Sequence, residues 1–251
     1  MTASAEGPLV LGLDAATPPA SVALVRGCDL LASATGPFGP GTDAWIIEGV
    51  DTVLGEAGVS LAQVDRIASS TGPGTFTGIR VGIATAGGLA RGIGAATIGI
   101  STLEALVEAA FMASDGAPDS LLAIVDARRG QLYAALSTAN TTPAAGMTFE
   151  WGPDLLTPGE LVDRIGDSSP LAAGTGTAVY ERVLSATRRI DTGPLASSVA
   201  RLAAAASDNR LPALRPFYFR PVDAIPGPSP LRDRAARPAI DDPNEMSKSQ
   251  D

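Results

Sequence analysis

The stretch Ser69–Gly94, SSTGPGTFTGIRVGIATAGGLARGIG, places eight glycines within 26 residues, where a strand gives way to a helix. With no Cβ in the way, such a loop lets the backbone approach another group very closely. No lysine follows these glycines, and the 251-residue chain contains no histidine. The loop is therefore not a GxxxxGK[ST] element, since neither Gly72 nor Gly74 has a glycine five positions on. GxGxxG cannot be laid over Gly72, Gly74 and Gly78 either. What remains is a helix N-terminus whose amides, about Phe76 to Ile79, suit a phosphate. The competing reading is a tight strand-to-helix turn that binds nothing.

The helix after the loop runs from about Thr77 to Arg91. Along it Gly78, Gly82, Ala86 and Ala90 form an i, i+4 ridge of small residues that admits a second backbone, either the chain's own sheet or a helix of a partner subunit. Before the loop lie a strand near Arg66–Ser70 and a helix from Thr42 to Ala57. That helix carries Ile46, Val50, Val53, Leu54 and Ala57 on one face, with Thr42 or Asp43 as N-cap and Gly58 as stop. Trp45 falls off this stripe; it is either covered by a neighbouring loop or meets another subunit, for which Ile47 is a second candidate. Leu9–Gly27, LVLGLDAATPPASVALVRG, reads as strand, turn, strand, with Asp14 closing the first strand. A strand at Ala96–Ile100 and a helix at Thr102–Ala113 complete a β-β-α-β-α-β-α lobe.

A second hairpin follows at Leu121–Ala139, with Asp126 falling 112 residues after Asp14 and an Arg128-Arg129-Gly130 turn beyond it. The repeat points to an internal duplication, although the turn by itself reads equally as a solvated one. Further helices are expected at Thr157–Ile165, Ala178–Ala186 and Ser197–Ser207, with a strand at Leu171–Ala173. The chain divides into lobes at 1–102 and 103–222. Residues 223–251, with five prolines and ten charged residues, read as a disordered acidic tail.

Composition prunes the chemistry. Hydrophobic residues make up 45% of the chain and aromatic residues 4%, as in an α/β protein. A net charge of −9 opposes unaided nucleic-acid binding, so any RNA is expected to reach the chain through a partner. The single cysteine, Cys28, and the absence of a basic leader or a long apolar span suggest a cytoplasmic location. Without histidine there is neither a Ser-His-Asp system nor an imidazole metal ligand. The sole lysine, Lys248, lies in the polar tail.

LGLDAATPPASVALV, STGPGTFTGIRVGIATAGGLARG, IGISTLEAL and AIVDARRGQLYAAL, in that order and spacing, resemble the TsaB (YeaZ) family, and PFYFRP around Phe217 is similar to its P-x-Y-L-R signature. The likeness covers about Leu9 to Pro221. It implies a two-lobed, duplicated actin-like fold (ASKHA, RNase H-like) with mixed sheets flanked by helices. It also implies a noncatalytic partner of TsaD, which transfers threonylcarbamoyl to the adenosine beside the anticodon of ANN-decoding tRNAs, in an assembly joined by the ATPase TsaE. Self-association as a homodimer is a further expectation, and tRNA is expected to be met only through the complex. TsaD-type paralogues carry an HxxxH metal motif where this chain has Thr102 and Leu106, so no metal site and no catalytic residue is expected. Many family members also have a histidine near the start of the first helix, where this chain has Thr42. In actin-like folds a carboxylate placed like Asp14 reaches a nucleotide-bound Mg²⁺ through water. Asp14, Gly72 and Gly74 are accordingly the candidates for residual ATP or ADP binding, and an actin-like ATPase or phosphotransferase acting alone is the alternative function. The partner interface is expected at Trp45, Ile47, Gly78, Gly82, Ala86 and Ala90.

Overall fold

All six residues of the first strand, β1 (Leu9–Asp14), are buried, because helices cover both faces of its sheet. A computed structural model describes residues 7–115, 118–138, 148–185, 187–207 and 211–218. The tail expected at 223–251 lies outside the described residues. β2 (Ala20–Arg26) and β3 (Asp29–Gly36) meander antiparallel from β1, while β4 (Arg66–Ser70) and β5 (Ala96–Ile100) add in parallel on its other side, giving the order β3-β2-β1-β4-β5.

The second sheet is built from β6 (Ser120–Arg128), β7 (Gln131–Thr138), β8 (Trp151–Leu156), β9 (Leu171–Ala173) and β10 (Arg188–Arg189). Its order, β8-β7-β6-β9-β10, repeats the first strand for strand, with the same antiparallel and parallel pairings. This is the duplicated α/β arrangement that the two hairpins pointed to, with mixed sheets flanked by helices as the family resemblance implied.

Helices α1 (Thr42–Ala57) and α2 (Phe76–Ile93) cover one face of the first sheet, where Ile46, Val50, Val53, Ala86 and Ala90 meet Leu9, Leu11, Leu13 and Ile67. Helix α1 starts after Gly41, in the left-handed region, instead of using Thr42 or Asp43 as cap. The Thr42 hydroxyl donates to the Pro37 carbonyl and accepts from the Gly39 amide, holding the preceding loop. On the far side of the second sheet, α4 (Pro158–Ile165) carries the capping pair Thr157 and Glu160 and buries Leu161. The helix expected at Ala178–Ala186 is only the single turn α5 (Gly176–Val179).

Between the sheets lie α3 (Thr102–Ala113) and α6 (Ala196–Ala205), and here chain order and packing part company. α3 leaves the first sheet and packs beneath β6 and β9, whereas α6 returns from the second half to pack under β1, β2 and β4. Gly12 makes the return possible, since a Cβ there would lie 2.8 Å from the Ala200 side chain. Arg66, at the start of β4, anchors the other end of α6 by donating to the carbonyls of Ala203 (2.7 Å), Ala204 (3.3 Å) and Ala206 (2.9 Å). Those are carbonyls that a helix C-terminus otherwise leaves without partners.

Where α3 crosses α6, Glu108 is 2% exposed, faces Arg201 at 3.7 Å and is bonded by Ser198. Its second oxygen, Oε2, has no partner. Burial pushes the Glu108 carboxyl above its ordinary range, against the opposing pull of Ser198 and Arg201. Residues 211–218 then run over the outer edge of β5, tied by Gly99 N–H to the Pro212 carbonyl (3.0 Å) and Phe217 N–H to the Thr71 carbonyl (2.8 Å). Among the described residues no helix is long and apolar enough to cross a membrane.

Candidate functional site

The glycine loop does approach something closely, and that something is the chain's own first hairpin. A Cβ on Gly74 would stand 2.5 Å from the Ala16 carbonyl oxygen, one on Gly78 would overlap the Ala15 carbonyl, and Thr75 N–H donates to Ala16 O at 2.9 Å. Gly72 (φ +110°) is buried beneath Ile79 and the Phe217 carbonyl, each 2.9 Å from where a Cβ would be. Gly72 therefore does not face a ligand, a correction to its expected role; Gly74 is half-buried and lines a cleft. At the start of α2 the Thr75 hydroxyl accepts from Gly78 N–H at 3.3 Å and the Thr75 carbonyl accepts from Ile79 N–H at 3.0 Å. Two of the four amides expected to receive phosphate are thus already engaged.

Asp14 is fully buried. Its Oδ1 accepts from the Ala16 amide (2.9 Å) and the Ser70 hydroxyl, and its Oδ2 from the Thr17 hydroxyl (2.6 Å). Burial raises the carboxyl above its ordinary value, while the bonds from Ser70, Thr17 and Ala16 pull it back. Both oxygens are thus committed to the hairpin and β4. Three donors of the hairpin and β4 already sit on this buried carboxylate, which gives Asp14 a structural role.

Across a cleft of about 610 Å³, the first hairpin (Ala16, Thr17, Pro18) and Gly74–Phe76 face Asp126, Arg128, Tyr133 and Thr175 of the second half. Asp126 accepts from the Arg128 amide (2.9 Å) and the Tyr180 hydroxyl (3.2 Å), and its own amide donates to Thr175. Thr102 and Leu106, the positions at which the family resemblance led us to expect no metal ligand, are buried at the head of α3. Among the described residues no three His, Cys, Asp or Glu side chains converge to hold a metal.

The small ridge Gly78, Gly82, Ala86 and Ala90 is wholly buried and faces the sheet; a Cβ on Gly82 would stand 2.6 Å from the Ser69 hydroxyl. It is therefore not a partner surface. Trp45 is likewise turned inward, its half-buried ring lodged against Gly36 and, 3.1 Å from a Cβ position, Gly49. Ile47 differs, being 45% exposed. The opposite side of α2 carries a second run of small residues that sequence reasoning missed: Ala84, Gly88 and Gly92 are exposed, and the two glycines open onto empty space. Also missed was a cluster at the start of α2. There the Arg80 guanidinium lies 3.7 Å from the Phe76 ring centre and its Nε donates to the Tyr218 hydroxyl at 3.0 Å.

Residues 43–210 match the family model described as TsaD, tRNA N6-adenosine threonylcarbamoyltransferase. A Haemophilus influenzae protein named tRNA threonylcarbamoyladenosine biosynthesis protein TsaB is 32% identical over 142 residues, covering 55% of this chain and 59% of that protein. The Escherichia coli protein of the same name is 41% identical over 88 residues, covering 35% of this chain and 37% of the relative. The chain thus matches somewhat over half the length of one relative and just over a third of the other. The solved structure of YeaZ from Pseudomonas aeruginosa superposes with a TM-score of 0.71 at 25% identity, over 84% of this chain and 100% of that one.

Proposed function

We propose, since the chain belongs to the family that the tRNA N6-adenosine threonylcarbamoyltransferase model describes and is similar within it to TsaB (YeaZ) proteins, that it is a noncatalytic subunit. Its partner is a TsaD-type enzyme, which carries out threonylcarbamoyl modification of the adenosine beside the anticodon of ANN-decoding tRNAs. In this reading the partner holds the metal and performs the acyl transfer, and a TsaE-type ATPase joins the same assembly. This chain supplies shape.

The observation that carries the reading is the outer face of α1 and α2. Ile47 is exposed, and Gly88 and Gly92 leave the backbone of α2 open, so that a partner helix can come closer than side chains normally allow. Two features support a subunit without bond-making chemistry of its own. Threonine and leucine stand at 102 and 106, and leucine has no donor atom for a metal. Asp14, the carboxylate best placed for a nucleotide-bound cation, is spent on the hairpin.

The test is co-purification with the TsaD-type subunit. Gly88→Arg is expected to abolish it, while Gly159→Arg, at another open position on α4, leaves it intact. If Gly88→Arg still binds both the enzyme and a second copy of this chain, α2 is not the interface. An actin-like ATPase acting alone is favoured only by the cleft's size. Calorimetry of the isolated chain with ATP and Mg²⁺ separates the two readings, and binding lost in Asp14→Asn would favour the enzyme.

A further inference from the structure

At one end of the inter-lobe cleft, the exposed Phe76 ring (49% exposed) stacks under the Arg80 guanidinium at 3.7 Å, with the Tyr218 ring 5.5 Å from Phe76. Phe76 lines the cleft, and on the facing wall Arg128, whose side chain is 80% exposed, lines it too. Arg128 and Arg129 hold φ of 62° and 54°, the sole non-glycine residues with positive φ among those described. The tight turn between the paired Arg128 and Gln131 takes positive φ at Arg129 and Gly130, and so holds the arginines at the tip of the β6–β7 hairpin. The one carboxylate among the described residues lining the cleft is Asp126, which accepts from the Arg128 amide and the Tyr180 hydroxyl and lies 3.6 Å from the Arg128 Nε, leaving the two terminal guanidinium nitrogens to meet an anion. A chain of net charge −9 thus presents, at this rim, arginines and open aromatic faces.

We propose that this rim stacks an unpaired nucleotide of an RNA single strand, with Phe76 and Arg80 as the platform and Arg128 meeting the phosphate. A planar guanidinium laid on an aromatic ring is a surface on which a base stacks whatever its identity, and an arginine across the gap supplies the anion contact. The rim is one local contact. It leaves the bulk of the electrostatic attraction for a tRNA to the partner, as the overall charge requires. The stacking site stands on this chain's own side chains, and only the choice of RNA rests on the tRNA-modification reading.

The experiment is fluorescence anisotropy of a labelled short oligoadenylate RNA with the isolated chain at low ionic strength. Phe76→Leu is expected to weaken binding about tenfold, whereas Phe76→Tyr retains it. Arg128→Ala is expected to lower the slope of log affinity against log salt by about 0.7, the share of one phosphate contact. Both positions are exposed, so unchanged melting curves exclude misfolding as the cause. Absence of oligonucleotide binding to the wild type, or Phe76→Leu binding like the wild type, overturns the proposal. Displacement by equimolar ATP would reassign the cleft to a free nucleotide and overturn it as well. Equal affinity for oligodeoxyadenylate would remove the RNA assignment while leaving co-purification with the enzyme unaffected.

Discussion

Two glycines of α2, one covered and one open, are expected to respond to the same substitution with opposite signs. A Cβ at Gly78 would stand 2.7 Å from the Ala15 carbonyl carbon and 2.6 Å from the Thr75 hydroxyl, with the Ala15 oxygen nearer still. Optimal contact is about 3.5–4.0 Å, and the Ala15 oxygen sets the shift, so the helix or the hairpin must withdraw by well over about 1 Å. The obstruction is backbone and cannot rotate away, which puts the cost at the upper end of the roughly 1–3 kcal/mol typical of overpacking. Alanine recovers at most about 1 kcal/mol of helix propensity, leaving Gly78→Ala destabilised by about 2 kcal/mol. At Gly88 nothing lies within 4 Å, so Gly88→Ala gains about 0.5–1 kcal/mol at no steric cost. For a chain of this size the first variant melts roughly 4–8 °C lower and the second about 1–4 °C higher. Thermal unfolding by circular dichroism, backed by urea titration, reads both. If Gly78→Ala melts at or above the wild type, the hairpin does not seat on α2 in this way; if Gly88→Ala falls, that face is not open.

Glu108→Gln is expected to stabilise the chain at neutral pH by on the order of 1 kcal/mol, because it removes a charge buried with one oxygen unpaired. The folded-state pKa is raised, so the protonated form's contribution is complete below the unfolded value of about 4.5 and is lost as pH rises through the folded one. The advantage of the variant should therefore vanish in acid, and unfolding curves that stay parallel from acid to neutral pH would contradict the assignment. Asp14→Ala removes the acceptor of three buried donors, Ala16 N–H and the hydroxyls of Thr17 and Ser70, at a cost of about 3 kcal/mol in urea unfolding. Asp14→Asn keeps one carbonyl oxygen and is expected to lose about half of that. Equal losses in the two variants would mean that the charge itself matters.

The strands buried on both faces were legible because they leave long apolar runs bounded by turns, as at Leu9–Asp14 and Leu121–Val125. The three strands that sequence reasoning passed over, β3, β8 and β10, are all sheet edges. An edge strand pairs on one side only and tolerates what an interior strand does not, such as the exposed, Ser- and Thr-containing β3 or Pro153 in β8. The small ridge on α2 was visible, but its direction was not. Gly78–Ala90 and Ala84–Gly92 are both small runs at helical spacing, and only the position of the sheet decides which one is covered. Asp14 shows a different limit: a carboxylate after a first strand has the same spacing whether it holds a cation or ties down a turn. The pair Arg80 and Tyr218, like Arg66 and the end of α6, joins residues more than 130 positions apart, which no local pattern could announce.

The exchange of α3 and α6 between the two sheets bears on how such a duplicated chain can be divided. If the polypeptide were severed after α3, each fragment would carry a helix whose apolar face belongs to the other and would lack the one its own strands need. Neither would close its interior by itself. Whatever gene doubling produced the symmetry, the crossover has since made the halves mutually dependent, so a lesion in Ala196–Ala205 weakens the amino-terminal half nearly two hundred residues away in sequence.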